Sequence, residues 1–455
     1  MRASGLLCAL VSPHFLCFLI FILTYLLTIQ QLEEKAVRDP TSIYFNPGTA
    51  FEQRYTAHRI RQAEALVREW QENPEVGRHD TVVLPSICMG IITTARGDDG
   101  RGFRNTVGSI LHGLTASERK ELRLVAFFAD TDPEKHRAYH EPWTDEVFEH
   151  KATYAPVSSS MKKQLARLEK QGQLDKKALL DYIFMLETCN ATNAEWAAIV
   201  EDDMIAAEGW FTRLRYNLWD WGQAEKLFKR SVFMRLFYTE STFNWDPWRE
   251  WPSYLFWLAA FEALLYSTMW ILCRNSMSAS RFLTRRTQLV ILFFCAPACV
   301  VLYIIAGRIT VTASKKGMHY INRHGCCTQA ILYPKDRMRG LIDFLKSKDG
   351  FDGDSRARNA LIEEYADMHS YDRWTLTPPL FQHAGFRRED IDDGRKPGEW
   401  RLPKQKADWN FEFELQSAET LRNEHEAKIN EEALRYANEG GKSEAAPENT
   451  ETSGE

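Results

Sequence analysis

The chain has 455 residues, 44% hydrophobic and 26% charged, with a net charge of −5. That length suits one large domain or two ordinary ones. Basic residues are scattered with no basic aromatic strip, which argues against nucleic acid as a partner, and nine cysteines are too few at this length for a disulfide scaffold.

The first element is "GLLCALVSPHFLCFLIFILTYLLTI", Gly5 to Ile29, almost wholly apolar and long enough to span a bilayer. It lacks a small-residue cleavage site and exceeds a signal-peptide core in length, so it reads as a retained anchor, a cleaved signal peptide being the alternative. Two further apolar runs cover Pro252 to Cys273 and Gln288 to Gly307. Joined by "RNSMSASRFLTRR", they read as a membrane hairpin. That link carries Arg274, Arg281, Arg285 and Arg286 and no acid, so the positive-inside rule places it in the cytosol. Residues 30–251 and everything after Arg308 then share the lumenal side. Trp245, Trp248, Trp251, Tyr254 and Trp257 crowd the start of the second span as an interfacial belt. Glu262, inside that span, reads as an acid paired within the bundle or facing a polar cavity. Cys8, Cys17, Cys273, Cys295 and Cys299 lie in apolar runs and read as small hydrophobes.

Between anchor and hairpin, residues 30–80 read as a lumenal helical stalk, on the helical spacing of "TAHRIRQAEALVREWQEN". "SICMGIITTAR" (Ser86–Arg96) is a short buried strand, "GDDGRGF" a loop and "RNTVGSILHGL" (Arg104–Leu114) a helix. "LRLVAFFADTDPEKH" (Leu122–His136) is a second strand ending in Asp130 and Asp132. Strand, helix, strand predicts a parallel sheet. A charged helix over Lys162–Glu187 leads to "WAAIVEDDM", a strand with Glu201, Asp202 and Asp203 at its tip. "RSVFMRLFY" (Arg230–Tyr238) is another strand. After the hairpin, "CCTQAILYP" (Cys326–Pro334) and "TLTPPLFQHAGF" (Thr375–Phe386) resume strand-and-loop character. From about residue 418 the chain turns acidic and reads as a disordered tail.

In open α/β sheets ligands bind beyond the carboxyl ends of the strands. Three carboxylates there repel one another unless a cation joins them, and hard oxygen ligands suit Mn²⁺ or Mg²⁺. Such an ion neutralises charge developing on a nucleotide diphosphate. The same triplet also suits a helix N-cap, and the residues alone leave both readings open.

In order along residues 86–388, "IITTAR", "KALLDYIFMLETCN…WAAIVEDDM", the inserted hairpin, "CCTQAILYP", "GFDGD" and "QHAGF" resemble the post-GPI-attachment N-acetylgalactosamine transferase family of Golgi enzymes. The resemblance implies an α/β fold: a GT-A-type glycosyltransferase domain with a Rossmann-like mixed sheet, interrupted by the transmembrane hairpin and preceded by an anchor. Its expected parts are an anchor (1–29), a stalk (30–80), two half-domains (81–250 and 309–417) around the hairpin (251–308), and the tail (418–455). It implies UDP-GalNAc as donor, a mannose of the GPI-anchor glycan as acceptor, Mn²⁺ or Mg²⁺ as cofactor, and a Golgi membrane enzyme with its catalytic domain in the lumen, the ER being the other compartment. GPI-anchored proteins or the GPI glycolipid would be partners, together with the membrane itself. "FFADTDPE" also resembles lumenal transferases that add N-acetylglucosamine to N-glycans, so GlcNAc or Gal transfer to GPI or N-glycans remains an alternative. A non-catalytic membrane scaffold with a degenerate transferase fold is another.

By their place at strand tips, Thr93 and Thr94 would line a uridine pocket with Asp130 or Asp132. On the resemblance, Asp203 and Asp202 would hold metal and diphosphate, Glu201 would lie near the donor sugar, Thr328 would contact that sugar, and His383 is a late metal or diphosphate ligand or else a satisfied loop histidine. Transfer from an α-linked donor to a β-linked product implies inversion, for which Asp354 is the candidate general base; an Asx turn is its other reading. Lys176 and Lys177 suit a phosphate contact or a solvated helix face. Cys326 and Cys327 are either a vicinal disulfide or two free thiols. Asn190–Ala191–Thr192 is a glycosylation sequon near a helix end.

Overall fold

The computed structural model describes residues 13–78, 85–95, 99–223, 230–240, 247–312, 316–320, 327–348, 358–384 and 408–443, in two compact units. The first comprises the N-terminal segment to Glu52 and the hairpin region Glu240–Ser314. Its three helices long and apolar enough to cross a membrane are Pro13–Arg38, Pro252–Asn275 and Arg285–Ile305. Tyr25 of the anchor donates its hydroxyl to the Ala298 carbonyl at 3.1 Å. Beyond the anchor, Asp39 clasps the end of the last span. Its Oδ1 accepts from the Thr41 N–H at 2.8 Å, and its Oδ2 from the Thr310 N–H at 2.7 Å and hydroxyl at 2.8 Å. Gly307 permits this approach: at φ 96° it is left-handed, and a Cβ there would meet Ser42 at 2.8 Å.

The second unit comprises residues 53–239, 315–387 and 408–455. It is built on an eight-stranded mixed sheet of order β3-β2-β1-β4-β8-β6-β9-β7. The strands are β1 (Ile87–Thr93), β2 (Leu122–Phe128), β3 (His150–Ala152), β4 (Trp196–Glu201), β6 (Ser231–Arg235), β7 (Gly317–Tyr320), β8 (Ala330–Pro334) and β9 (Asp372–Thr377). β3, β2, β1 and β4 run parallel, while β8 is antiparallel to both β4 and β6. A separate two-stranded ribbon pairs β5 (Met204–Ala206) with β10 (Phe381–His383).

Alternation along the strands sorts two cores. Ile87, Met89 and Ile91 of β1 face one with Leu124, Ala198 and Met234, under Val67 and Trp70 of α1 (Tyr55–Glu72) and Phe103 and Val107 of α2 (Arg101–Leu111). Cys88, Val125, Ile199 and Phe233 face the other. That face is covered by α6 (Leu174–Asn190), α8 (Lys335–Lys348) and α9 (Arg358–Met368). Because both faces are covered, the central strands read as unbroken apolar runs. Cys88 of β1 is disulfide-bonded to Cys189 of α6, 101 residues away, pinning sheet to helix layer.

Several expectations need correction. Residues 55–72 are no stalk: α1 belongs to the second unit, and buried Arg59 donates to the Ala206 carbonyl at 2.9 Å and the Ser109 carbonyl at 2.7 Å. The helix expected over Lys162–Glu187 is two, α5 (Ser159–Lys170) and α6, broken at left-handed Gly172. The presumed disordered tail begins as a helix, α11 (Ala418–Ser443), preceded by the single turn α10 (Phe411–Glu414). α11 meets α7 (Trp210–Gln223) and α3 (Ala116–Glu121) through paired charges. Arg215 of α7 bridges Glu121 and Glu432, and His425 sits 3.0 Å from buried Glu118. Cysteines do staple this domain, through Cys88–Cys189.

Candidate functional site

β1 and β4 are parallel neighbours and end on the same edge of the sheet. β8 runs the other way, so its start lies beside the end of β4, where the Glu201 N–H donates to the Gln329 carbonyl at 2.8 Å. Residues 93–94, 201–203 and 327–329 therefore converge.

Asp202 is almost fully buried, and its Oδ2 accepts from the Thr93 hydroxyl at 2.7 Å and the Thr94 N–H at 3.4 Å. Thr93 is itself wholly buried and bonds His136 Nε2 at 2.8 Å. His136, Thr93 and Asp202 thus form a buried chain that fixes the tip of β1 against that of β4. Asp130 accepts from the Ala95 N–H at 2.8 Å and so ties down the loop after β1. Asp132 is exposed and caps a local turn through the Glu134 N–H.

Asp203 and His383, 180 positions apart, do come together. The β5–β10 ribbon sets His383 opposite Met204, and His383 Nε2 lies 3.3 Å from Asp203 Oδ2. Its Nδ1 lies 3.2 Å from the Asp408 carbonyl. Two acceptors suit an imidazolium, which has two donors. Burial pulls the His383 pKa down, but the Asp203 hydrogen bond and charge, with Asp408 and Glu201, outweigh it and raise it to about 9. Burial likewise raises the Asp408 pKa, against the lowering pull of His383 and of Gln329, whose amide donates to Asp408 at 3.1 Å.

Glu201 is paired with Arg358, the first residue of α9. Arg358 also donates to the Thr328 hydroxyl from Nε at 3.0 Å and Nη2 at 2.7 Å, and lies 4.8 Å from the Tyr182 ring centroid. α9 is held in turn by Glu363, which accepts from Arg235 at 2.6 Å and Arg373 at 2.5 Å. Arg235 Nε donates to the Cys327 carbonyl at 3.1 Å.

Among the described residues no three His, Cys, Asp or Glu side chains converge as a metal cage. Asp203 and His383 are two donors at one point, which fits an ion that takes its other ligands from a diphosphate and water, as Mg²⁺ and Mn²⁺ do. His383 would release its proton on binding it.

Cys327 is disulfide-bonded. Asp354 and Cys326 lie outside the described residues. Asn190 is the last residue of α6, half-buried. Lys177 corrects both of its readings. It is buried, donating to the Ala129 carbonyl and lying 3.0 and 3.1 Å from the two Asp181 oxygens. Lys176 beside it is only partly exposed. Sequence reasoning missed Arg358, His136, Asp408 and the Cys88–Cys189 pair. Arg358 carries no local signal, since an arginine opening a helix is ordinary.

The described residues combine a mixed α/β sheet, acids at converging strand tips and three helices long and apolar enough to cross a membrane, the layout of a membrane-anchored protein of the α/β class. The chain belongs to the family of the GPI-N-acetylgalactosamine transferase PGAP4, whose family model matches residues 87–382, and it is a glycosyltransferase. No curated protein matches the chain.

Proposed function

We propose that the protein transfers N-acetylgalactosamine from UDP-GalNAc to a mannose of the GPI-anchor glycan, with metal dependence and inversion, on a GT-A-type fold. The observation that carries this reading is the meeting of Asp203 and His383 at 3.3 Å beside the Glu201–Arg358 pair, with Asp203, Glu201 and Arg358 inside the family match and His383 directly after its end. Asp203 and His383 would hold the metal, which when bound supplies positive charge to the leaving diphosphate. The Thr93–Asp202 bond keeps the strand tips rigid, so the donor meets a preformed surface. Inversion needs a carboxylate to take the acceptor hydroxyl proton, and Asp354 remains the candidate on its place in the sequence. The Cys88–Cys189 disulfide supports a lumenal domain, since such bonds persist in oxidising compartments. We place it in the Golgi membrane on the family resemblance, the ER membrane being the other compartment that would hold such an acceptor.

The test is donor turnover by the full chain in detergent, comparing UDP-GalNAc, UDP-GlcNAc and UDP-Gal with Mn²⁺ or EDTA. Metal-dependent use of UDP-GalNAc alone, falling about 100-fold or more in Asp203→Ala, is expected. Preference for another donor would replace the sugar in this reading. An unaltered protein that neither turns over nor binds any UDP-sugar would overturn it.

A further inference from the structure

We propose that Arg358 is a binding residue for the nucleotide diphosphate, fixing Glu201 and Thr328 with two guanidinium nitrogens and offering the third, Nη1, to the anion. The inference rests on the transferase reading above and adds a residue and a role to it.

Three observations carry it. First, the guanidinium is only partly committed. Nε and Nη2 donate to Thr328, and Nη2 also to Glu201. Among the described residues Nη1 has no hydrogen-bond partner, although 16% of the side chain remains open to solvent. A guanidinium needed only to neutralise Glu201 would be satisfied by that pair. Second, the group is immobilised before any ligand arrives. Its face packs on Tyr182, whose hydroxyl bonds that of Tyr333 at 2.7 Å, and α9 is anchored by the buried Arg235–Glu363–Arg373 triad. A pre-set arginine binds a phosphate without first losing rotamer freedom. Third, its position suits an anion. Through its bond to Glu201 it reaches the tip of β4, beyond which an open sheet binds its ligand.

The chemistry selects diphosphate over the neutral parts of the donor. Arginine N–H groups and phosphate oxygens form charge-assisted bonds about twice as strong as neutral ones.

The experiment measures UDP and uridine binding to the full chain in detergent by calorimetry. It compares the unaltered protein with Arg358→Gln and Arg358→Lys. Arg358→Gln should weaken UDP binding about 10–100-fold while leaving uridine affinity unchanged. Arg358→Lys should recover part of the loss. Equal losses for UDP and uridine, or no loss for either, would overturn the assignment and leave Arg358 a structural ion-pair partner. If Arg358→Gln does not fold, Arg358→Lys decides: UDP affinity equal to that of the unaltered protein refutes the role. Absence of UDP binding by the unaltered protein would instead sink the transferase reading, and this inference with it.

Discussion

Replacing both Cys88 and Cys189 by alanine removes the covalent link between β1 and α6. The bond closes a loop of 101 residues. In the chain-entropy model its loss frees about 4.7 kcal/mol of denatured-state entropy at 25 °C. Both cysteines are buried against Val125, Ile199 and Leu186. Alanine is close in size to a thiol-bearing side chain, so the added cavity term is small beside the entropic one. For a unit of roughly 300 residues, about 4.7 kcal/mol corresponds to a fall in Tm of about 5–10 °C. The assay is thermal unfolding in detergent by intrinsic tryptophan fluorescence, paired with alkylation of the native chain followed by mass analysis. The unaltered protein should show Cys88 and Cys189 protected from alkylation until reduced. A Tm change under about 2 °C, or two alkylated thiols in the native protein, would refute both the staple and the oxidising environment it supports.

Other consequences are equally open to measurement. In Gly108→Ala the new Cβ would lie 2.7 Å from the Ala63 carbonyl oxygen and 2.9 Å from its Cα. This should push α2 off α1 and cost about 1–3 kcal/mol, read as a lower Tm; an unchanged Tm would mean α1 is not packed there. Lys177→Met strands Asp181 in a buried site and should destabilise by about 3–5 kcal/mol, whereas an exposed phosphate-binding lysine would cost almost nothing. The hydrogen bond to Glu118 raises the His425 pKa from 6.5 against the opposing pull of burial. Burial raises the Glu118 pKa, but His425, Thr212 and Thr115 outweigh it and hold the group at about 2. The pair therefore stabilises fully between about pH 4.5 and 6.5. It weakens as pH rises through the raised His425 value and again as pH falls toward 2. The Tm gap between the unaltered protein and His425→Ala should be widest near pH 6 and should shrink by pH 9; a gap that does not vary with pH would refute the ion pair.

The central strands were legible because a sheet covered on both faces demands runs such as "ICMGII" and "WAAIV". β3, β5 and β7 were not, since three or four residues fall below any periodicity window. The charge pattern runs unbroken through α5 and α6, and only the backbone angle at Gly172 separates them. α11 misled for a physical reason. Its charged side chains look solvated in sequence, yet Arg422, His425 and Glu432 each meet an opposite charge on the domain. At the site, Asp203 and His383 were recognisable by residue type, as ligand chemistry restricts which residues serve. Their meeting depends on a two-stranded ribbon that no local pattern announces. Arg358 and Cys189 each depend on a partner more than 100 positions away.

The order of strands also constrains how the protein can be made. β6 emerges from the ribosome before the hairpin, but its neighbours in the sheet, β8 and β9, are both encoded after it. β4 likewise waits for β8 to cover its open edge. Until Ala330–Pro334 is synthesised, β1 to β4 form a half-sheet with an exposed hydrophobic border, and β6 has no strand to pair with. Completion of the sheet thus waits for the chain beyond the hairpin, and until that chain arrives two unpaired strand edges are left for chaperones to shield.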